Sequence, residues 1–431
     1  MRKLMFATLF FVFAVIPFIS LTADDLYPNI AVVNANDDGL IGVLDKAAGN
    51  RFYMSYPDKF DFLFVYTTFN PAPMDMQQGL AIQYTVQGIN RDAGIMSPYG
   101  KPADWGSAGR LLGAARMCNI DKYPDNPDVA ISTNPISPFA GMTSIELLAH
   151  EWSHYWLAAM DFKKEGMTEN HTGLRGWESD AANQHWSGDF SDGNSVMYGG
   201  DIMDNGDGSF TYYFSNPKKY GPLDQYVMGL RAPEEVGDLF FLCSSADIEQ
   251  CRQGNPAVPG AKTAQPSTKN GVYKHVVTMD DIIRAMGPRV PSSAEAQKHF
   301  NVAFILLSKE GVYPFPQQLQ RMETFRLRFQ EWFAWATDGR GTVCTELDGD
   351  CENSTENDDD IIPDEDTAVF DDNSTPDEEI TPDETITDNS ITPDETAQDE
   401  EVKDENSETP DDSINPLPED EEVGCGCTIV F

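Results

Sequence analysis

The sequence predicts an α+β fold, because strand-like segments occupy its first half and helical patterns dominate its second. Strand character is clearest in residues 29–33 and 60–68, where aromatic and β-branched side chains are concentrated. Apolar side chains at helical spacing predict helices at 108–117, 223–230, 279–286, 294–307 and 317–337. Strands followed by helices, without a regular alternation of the two, are typical of the α+β class.

The amino terminus has the pattern of a signal peptide. Arg2 and Lys3 precede an apolar run over residues 4–19, and a short stretch then ends at Ala23. The run is shorter than the roughly 20 apolar residues that a membrane-spanning helix needs. We therefore expect residues 1–23 to be removed and the protein to be secreted or held at the cell surface, outside the cytoplasm. No later segment is expected to span a membrane.

The net charge of −42 is distributed unevenly along the chain. Residues 341–431 carry most of it, since Lys403 is the only basic residue among their many aspartates and glutamates. Residues 24–340 are only mildly acidic and are long enough to form one large domain or two small ones with a proper core. A nucleic-acid partner is not expected, because phosphate binding requires a basic face.

Residues 341–431 are predicted to form a disordered acidic tail. They repeat Thr-Pro-Asp-Glu at 375–378, 381–384 and 392–395, and such a composition cannot bury enough apolar surface to offset the loss of chain entropy. Like charges and prolines favour an extended spacer over a calcium-binding segment. The Gly-Cys-Gly-Cys at 424–427 resembles the start of a C-terminal sorting signal, so surface attachment is one interpretation there. A disulfide or a truncated signal is another.

Seven cysteines in an exported chain indicate disulfide bonds. Cys243 and Cys251 are close enough in sequence to staple a short loop, and so are Cys344 and Cys351. Cys118 is then left over in the body of the protein, where a buried apolar thiol is the expected state.

A helix that carries an HExxH motif is the strongest functional signal. Thr143 and Glu146 have the spacing of a capping box, and the pattern after them predicts a helix as far as residue 160. His150-Glu151-Trp152-Ser153-His154 lies inside this helix. The spacing of four residues places both imidazoles on one face, where they can bind one zinc ion. Glu151 is predicted to be the general base, taking a proton from a water that the zinc activates.

A catalytic zinc site needs a third protein ligand and leaves one position for water. The compact pattern HExxHxxGxxH is absent, since Leu157 and Met160 stand where its glycine and third histidine would be. The ligand must therefore come from further along the chain. The candidates by residue type are His171, Glu178, Asp180, His185 and Asp224. The aromatic side chains within and after the motif, Trp152, Tyr155 and Trp156, are expected to pack in the core.

A resemblance selects His185 among these candidates. His185-Trp186-Ser187, followed by Ser195-Val196-Met197-Tyr198-Gly199, resembles the third-histidine and Met-turn region of the leishmanolysin-type metzincins. The wider stretch 150–230 is also similar to a group of exported bacterial proteins with HExxH-like helices. The resemblance implies a zincin or metzincin-like catalytic domain over residues 24–340. It also implies Zn²⁺ bound by His150, His154 and His185, with Met197 beneath the three rings.

The expected function is that of a secreted zinc-dependent endopeptidase acting on proteins or peptides. A thermolysin-like site, with Glu178 in place of His185, would perform the same reaction. The alternative from another class is a surface binding or adhesion protein that retains a degenerate or structural zinc site. Glu151 favours the enzyme, because a purely structural site has no need of a general base.

Two other sets of residues contain side chains that can bind metals, but neither is predicted to form a metal site. Asp204, Asn205 and Asp207 could bind Ca²⁺, but the carboxylate spacing of an EF-hand loop is absent and a tight hairpin turn is the favoured interpretation. His275 and His299 have no ligand-type neighbours at a suggestive spacing and are assigned no role.

Overall fold

The computed structural model describes residues 26–35, 41–71, 82–85, 102–132, 141–158, 160–176, 185–193, 195–213, 218–251, 267–349 and 351. The predicted signal peptide lies outside the described residues, as do Glu178, Asp180 and the predicted acidic tail beyond residue 351. The prediction that the disordered tail begins at residue 341 is wrong, because Thr342–Cys344 form a strand whose Val343 and Cys344 are buried. All described residues belong to one of the two units into which the chain divides, Met1–Glu356 with Gly426–Phe431. None of the helices among them is long and apolar enough to cross a membrane.

The described part of the chain is mixed α+β, as predicted. Its strands, in chain order, are β1 (Ile30–Ala35), β2 (Phe62–Thr67), β3 (Ile82–Thr85), β4 (Gly113–Asn119), β5 (Trp186–Ser191), β6 (Tyr198–Asp204), β7 (Phe210–Tyr213), β8 (Leu239–Cys243), β9 (Ser267–Lys269), β10 (Tyr273–Val277), β11 (His299–Lys309) and β12 (Thr342–Cys344). Its α-helices are α1 (Ile41–Ser55), α2 (Ser144–Ser153), α3 (Pro222–Val227), α4 (Met279–Met286) and α5 (Pro316–Ala336).

The first sheet has the strand order β1-β11-β2-β4-β3, and β12 pairs with the start of β11. All of these pairs are parallel except β3 with β4. Strands β2 and β4 are buried along their whole length, as expected where both faces of a parallel sheet are covered. Helix α1 covers one face through Phe52, whereas α2 and α5 cover the other face through Trp152 and Phe329.

The second sheet has the strand order β10-β8-β5-β6-β7-β9. Its pairs are antiparallel except β5 with β6. Strand β5 begins at Trp186, and Trp186 pairs with Tyr198 at the start of β6. This pairing places the residue before β5, His185, beside the turn that leads into β6.

Two predicted helices are strands in the structure. The segment predicted as a helix at 294–307 contributes most of β11, and the one predicted at 108–117 contributes most of β4. In β11, Phe300, Val302 and Phe304 enter one core cluster, whereas the alternate residues Ala303, Ile305 and Leu307 enter the other. A strand buried on both faces lacks the alternation of apolar and polar residues that identifies a half-exposed strand. Its continuous apolar run is therefore equally compatible with a buried helix. The other three predicted helices and both predicted strands are confirmed.

Both predicted disulfides are present, Cys243–Cys251 and Cys344–Cys351, and Cys118 is buried in β4. The predicted hairpin turn is also confirmed, because β6 and β7 pair as antiparallel neighbours around it. Within the turn, the carboxylate of Asp204 accepts a hydrogen bond from the N–H of Gly206, and that of Asp207 accepts from Ser209. These bonds are the ones that a tight turn uses.

Candidate metal centre

Helix α2 begins where the sequence predicts. The hydroxyl of Thr143 accepts a hydrogen bond from the N–H of Glu146 at 3.1 Å, and the Glu146 carboxylate accepts from the N–H of Thr143 at 2.9 Å. The other carboxylate oxygen of Glu146 accepts from the backbone N–H of Lys218 at 2.6 Å. Glu146 is buried, so this one side chain both caps the helix and fastens it to the segment that leads into α3.

Helix α2 ends earlier than the predicted limit of residue 160. Ser153 is its last residue and His154 is the C-cap. Ala158 has a φ of 72°, in the left-handed region that an α-helix cannot continue through. The early end lets Tyr155 and Trp156 turn into the core, where their ring centroids lie 5.0 and 5.5 Å from that of Phe62. The prediction that the aromatic side chains around the motif are core residues is confirmed.

The structure brings His150, His154 and His185 together. One nitrogen of each imidazole lies within 4.8 Å of the corresponding nitrogens of the other two. The Nε2 atoms of His150 and His185 are 3.2 Å apart. Two tetrahedral ligands that are each about 2.1 Å from one zinc ion would be separated by about 3.4 Å. The cluster could therefore bind a metal ion.

The orientation of His150 is set by a backbone carbonyl. Its Nδ1 lies 2.8 Å from the carbonyl oxygen of Val196. A carbonyl can only accept a hydrogen bond, so Nδ1 carries the proton and Nε2 keeps its lone pair for the interior of the cluster. Metal-binding histidines usually donate their other ring N–H in this way, which fixes both tautomer and ring orientation. This carbonyl was not predicted from the sequence.

His185 is positioned by the backbone on both sides of it. Its own carbonyl accepts a hydrogen bond from the N–H of Gly176 at 2.8 Å, and the N–H of Trp186 donates to the carbonyl of Met197 at 3.0 Å. Met197 is fully buried. The same turn, residues 195–197, therefore supports His185 through Met197 and His150 through Val196. The position of the Met197 sulfur beneath the rings stays a prediction.

Tyr198 forms a wall of the cluster. Its ring centroid lies 4.9 Å from that of His150 and 4.8 Å from that of His185. Its φ is 73°, a left-handed conformation that is unusual for a bulky residue and costs on the order of 1–3 kcal/mol. Such conformations persist where the surrounding structure enforces them, and they are concentrated at functional sites.

Burial controls the charges of the cluster. It lowers the pKa of His154 well below its ordinary value, and the neighbouring His150 and His185 lower it further. Burial also lowers the pKa of His185 to about 4. Burial raises the pKa of Glu151 to about 8, although the positive charge of Arg116 opposes the rise. His154 and His185 are thus held as neutral imidazoles, the form in which histidines bind metals.

The remaining candidate ligands are not part of the cluster or cannot be placed. His171 hydrogen bonds to the carbonyl of Ile248 at 2.8 Å. Asp224 accepts a hydrogen bond from the indole N–H of Trp186 at 2.7 Å. Glu178 and Asp180 lie outside the described residues, so the thermolysin-like alternative stays open.

His275 has neighbours that its sequence position does not reveal. It lies beside Cys243 and Cys251, and the three residues could in principle offer ligand atoms to one ion. The two sulfur atoms are joined in a disulfide, and a disulfide is not the thiolate that binds metals. The group therefore offers a cation only one imidazole.

Comparison with known proteins adds no family assignment. No protein-family model matches the chain, and neither a curated protein nor a solved structure matches it. The residues of the cluster and their geometry are therefore what indicates a function for this chain.

Proposed function

We propose that the protein is a secreted zinc-dependent peptidase whose metal ligands are His150, His154 and His185 and whose general base is Glu151. The observation that carries the proposal is the approach of His185 to the HExxH pair, with its Nε2 atom 3.2 Å from that of His150 across 35 residues of sequence. Three protein ligands with a fourth position open to solvent are typical of catalytic zinc sites, and three histidines are one of the known sets.

The residues present fit a zinc ion. His150 has its Nδ1 committed to Val196 and its Nε2 directed at His185. The ring of His154 stands edge-on to the other two, with centroid distances of 4.9 and 5.0 Å. Among the described residues, its buried Nδ1 has no hydrogen-bond partner. In the described part of the chain, no competing hydrogen bond through that atom holds the ring away from a metal.

The proposed chemistry assigns a different task to each group. A zinc ion bound there would polarise the scissile carbonyl and lower the pKa of a water to about 7. Glu151 follows the first histidine ligand directly, as in other HExxH hydrolases. Its carboxylate would take the proton of the attacking water and deliver it to the leaving amine. Burial outweighs the positive charge of Arg116 and keeps the pKa of Glu151 at about 8. A bound zinc ion would add a second positive charge beside Arg116 and so favour the ionised carboxylate that this step requires.

The test combines metal analysis with hydrolysis of casein by the purified protein. We expect one zinc ion per chain, and activity that is lost with 1,10-phenanthroline and restored by added zinc. Glu151→Gln should retain zinc and lose about 100-fold or more in kcat, the usual contribution of a general base. Glu165→Gln is the matched control, because Glu165 is exposed and follows the same helix in sequence, and it should leave kcat unchanged.

Two results would contradict the proposal. Hydrolysis that is equal in the wild type and in Glu151→Gln would show that Glu151 is not the base. Stoichiometric zinc without hydrolysis of casein, gelatin or a mixed peptide library would instead favour the binding or adhesion protein with a structural zinc site.

A further inference from the structure

Asp224 connects the two segments that position the histidine ligands. It lies in α3 and is almost completely buried. Its Oδ1 accepts a hydrogen bond from the indole N–H of Trp186 at 2.7 Å, and its Oδ2 accepts from the N–H of Gly221 at 2.8 Å. The side chain of Ser195 is also hydrogen bonded to this carboxylate. Hydrogen bonds to an ionised acceptor are roughly twice as strong as those between neutral groups.

The first connection leads to His185. Trp186 is the next residue in the chain and is fully buried. Asp224 fixes the indole, while the backbone N–H of Trp186 is bonded to the carbonyl of Met197. With both the side chain and the backbone of Trp186 held, the residue before it has little freedom to move away from α2.

The second connection leads to His150. The hydroxyl of Ser195 donates to Asp224 and accepts from the N–H of Met197 at 2.9 Å. These bonds close the turn around Val196, whose carbonyl is the acceptor for Nδ1 of His150. Through this turn, Asp224 holds the atom that fixes the tautomer of His150.

We infer that Asp224 is a positioning residue that holds two of the three metal-binding histidines, His185 through Trp186 and His150 through Ser195 and Val196. The inference rests on the proposed function in that the cluster binds a metal. The sequence made Asp224 a candidate metal ligand by residue type, but in the structure its carboxylate binds Trp186 and Gly221. It acts on the ligands through their neighbours and does not itself join the cluster.

The first measurement is zinc affinity by competition with a chromophoric chelator. Asp224→Asn keeps the shape of the side chain, but its amide nitrogen cannot accept the bonds that a carboxylate oxygen accepts. We expect the Kd for zinc to rise by about 10–100-fold, as is usual when a group that orients a ligand is removed. The visible spectrum of the Co²⁺-loaded protein should change in the same variant, because the ligand geometry changes.

The matched control is Asp61→Asn. Asp61 is also buried, and its carboxylate accepts bonds from the backbone N–H of Asn301 and from Gln297 and Arg110. It has no described bond to the histidines or to the turn at 195–197. Its replacement should destabilise the fold to a similar degree while leaving the zinc Kd and the Co²⁺ spectrum unchanged.

The second measurement needs no metal. In ¹⁵N spectra of the imidazoles of the metal-free protein, His150 should be a single Nδ1–H tautomer in the wild type and a mixture of tautomers in Asp224→Asn. Should Asp224→Asn not fold, Ser195→Ala removes only one donor and should produce the same change at His150.

The outcomes separate the two proposals. If the wild type binds zinc and Asp224→Asn matches it in Kd, Co²⁺ spectrum and tautomer, the inference is wrong and the proposed function stands. If the wild type binds no zinc, the proposed function fails, and the tautomer of His150 still decides whether Asp224 positions the ring.

Discussion

Replacing Trp152 tests how helix α2 packs against the first sheet, independently of metal binding. The indole is fully buried, with ring centroids of Phe62, Phe329 and Phe333 at 5.3, 5.6 and 4.9 Å. A buried tryptophan removes about 150–250 Å² from water, so its truncation forfeits about 4–6 kcal/mol at about 25 cal/mol per Å². The indole N–H is buried without a partner among the described residues, and removing it recovers about 1–3 kcal/mol. Trp152→Ala should therefore cost about 3 kcal/mol of unfolding free energy.

Trp152→Phe tests the second part of this balance. It keeps much of the ring contact and removes the unpaired N–H, so we expect it to cost about 1 kcal/mol or less. Both variants are compared with the wild type by urea denaturation of the metal-free protein, followed by circular dichroism. If Trp152→Phe lowers the unfolding free energy as much as Trp152→Ala does, the conclusion that the buried indole N–H is a cost to stability is wrong. An Ala variant within about 1 kcal/mol of the wild type would refute the packing of α2 on the first sheet.

Four other outcomes are expected. His185→Ala should weaken zinc binding in titration calorimetry by more than about 100-fold, since it removes a ligand, while Glu178→Ala should leave it nearly unchanged; the opposite order would favour the thermolysin-like site. Thr143→Ala should lower the unfolding free energy by about 1 kcal/mol through loss of the N-cap, and an unchanged urea midpoint would contradict this. Burial raises the pKa of Asp61, so the folded state holds its proton more tightly than the unfolded chain does. The contribution of this group to stability then falls as pH rises from about 4 through the raised pKa. Asp61→Asn should reduce that decline, and an identical slope of unfolding free energy against pH would argue against it. Deleting residues 352–431 should leave the thermal midpoint and the hydrolysis unchanged, whereas a large drop in the midpoint would mean that the tail joins the core.

The ligand helix was predictable because its signals are local. The capping pair Thr143 and Glu146 and the spacing of His150 and His154 each involve residues within one turn of helix. His185 could not be selected by spacing, because its position depends on the pairing of Trp186 with the turn at Met197. The resemblance of the segment around it to a known ligand motif favoured it over the other candidates.

The groups that orient the ligands left no trace in the sequence. The acceptor for His150 is the backbone carbonyl of Val196, which any amino acid at position 196 would supply. Asp224 stood out only as a carboxylate that might bind metal, since its bonds to Trp186 and Ser195 span distant parts of the chain. The sheet order is hidden for the same reason. Strand β1 pairs with β11 from the far end of the described chain, as in the register of Ile30 with Phe304.

The three histidines come from two places in the fold. His150 lies in the helix that packs against the first sheet, His154 is the C-cap of that helix, and His185 immediately precedes a strand of the second sheet. An ion shared by them would act as a reversible crosslink, closing a loop of about 30 residues between His154 and His185 at an entropic cost that rises only slowly with loop length. Loss of the ion would remove that crosslink as well as the chemistry, and the loop would then be held only by bonds such as those between Phe162 and His171. The rate at which a protease cuts between residues 160 and 176 should then fall as the protein is loaded with metal, and it can be measured without knowing any substrate.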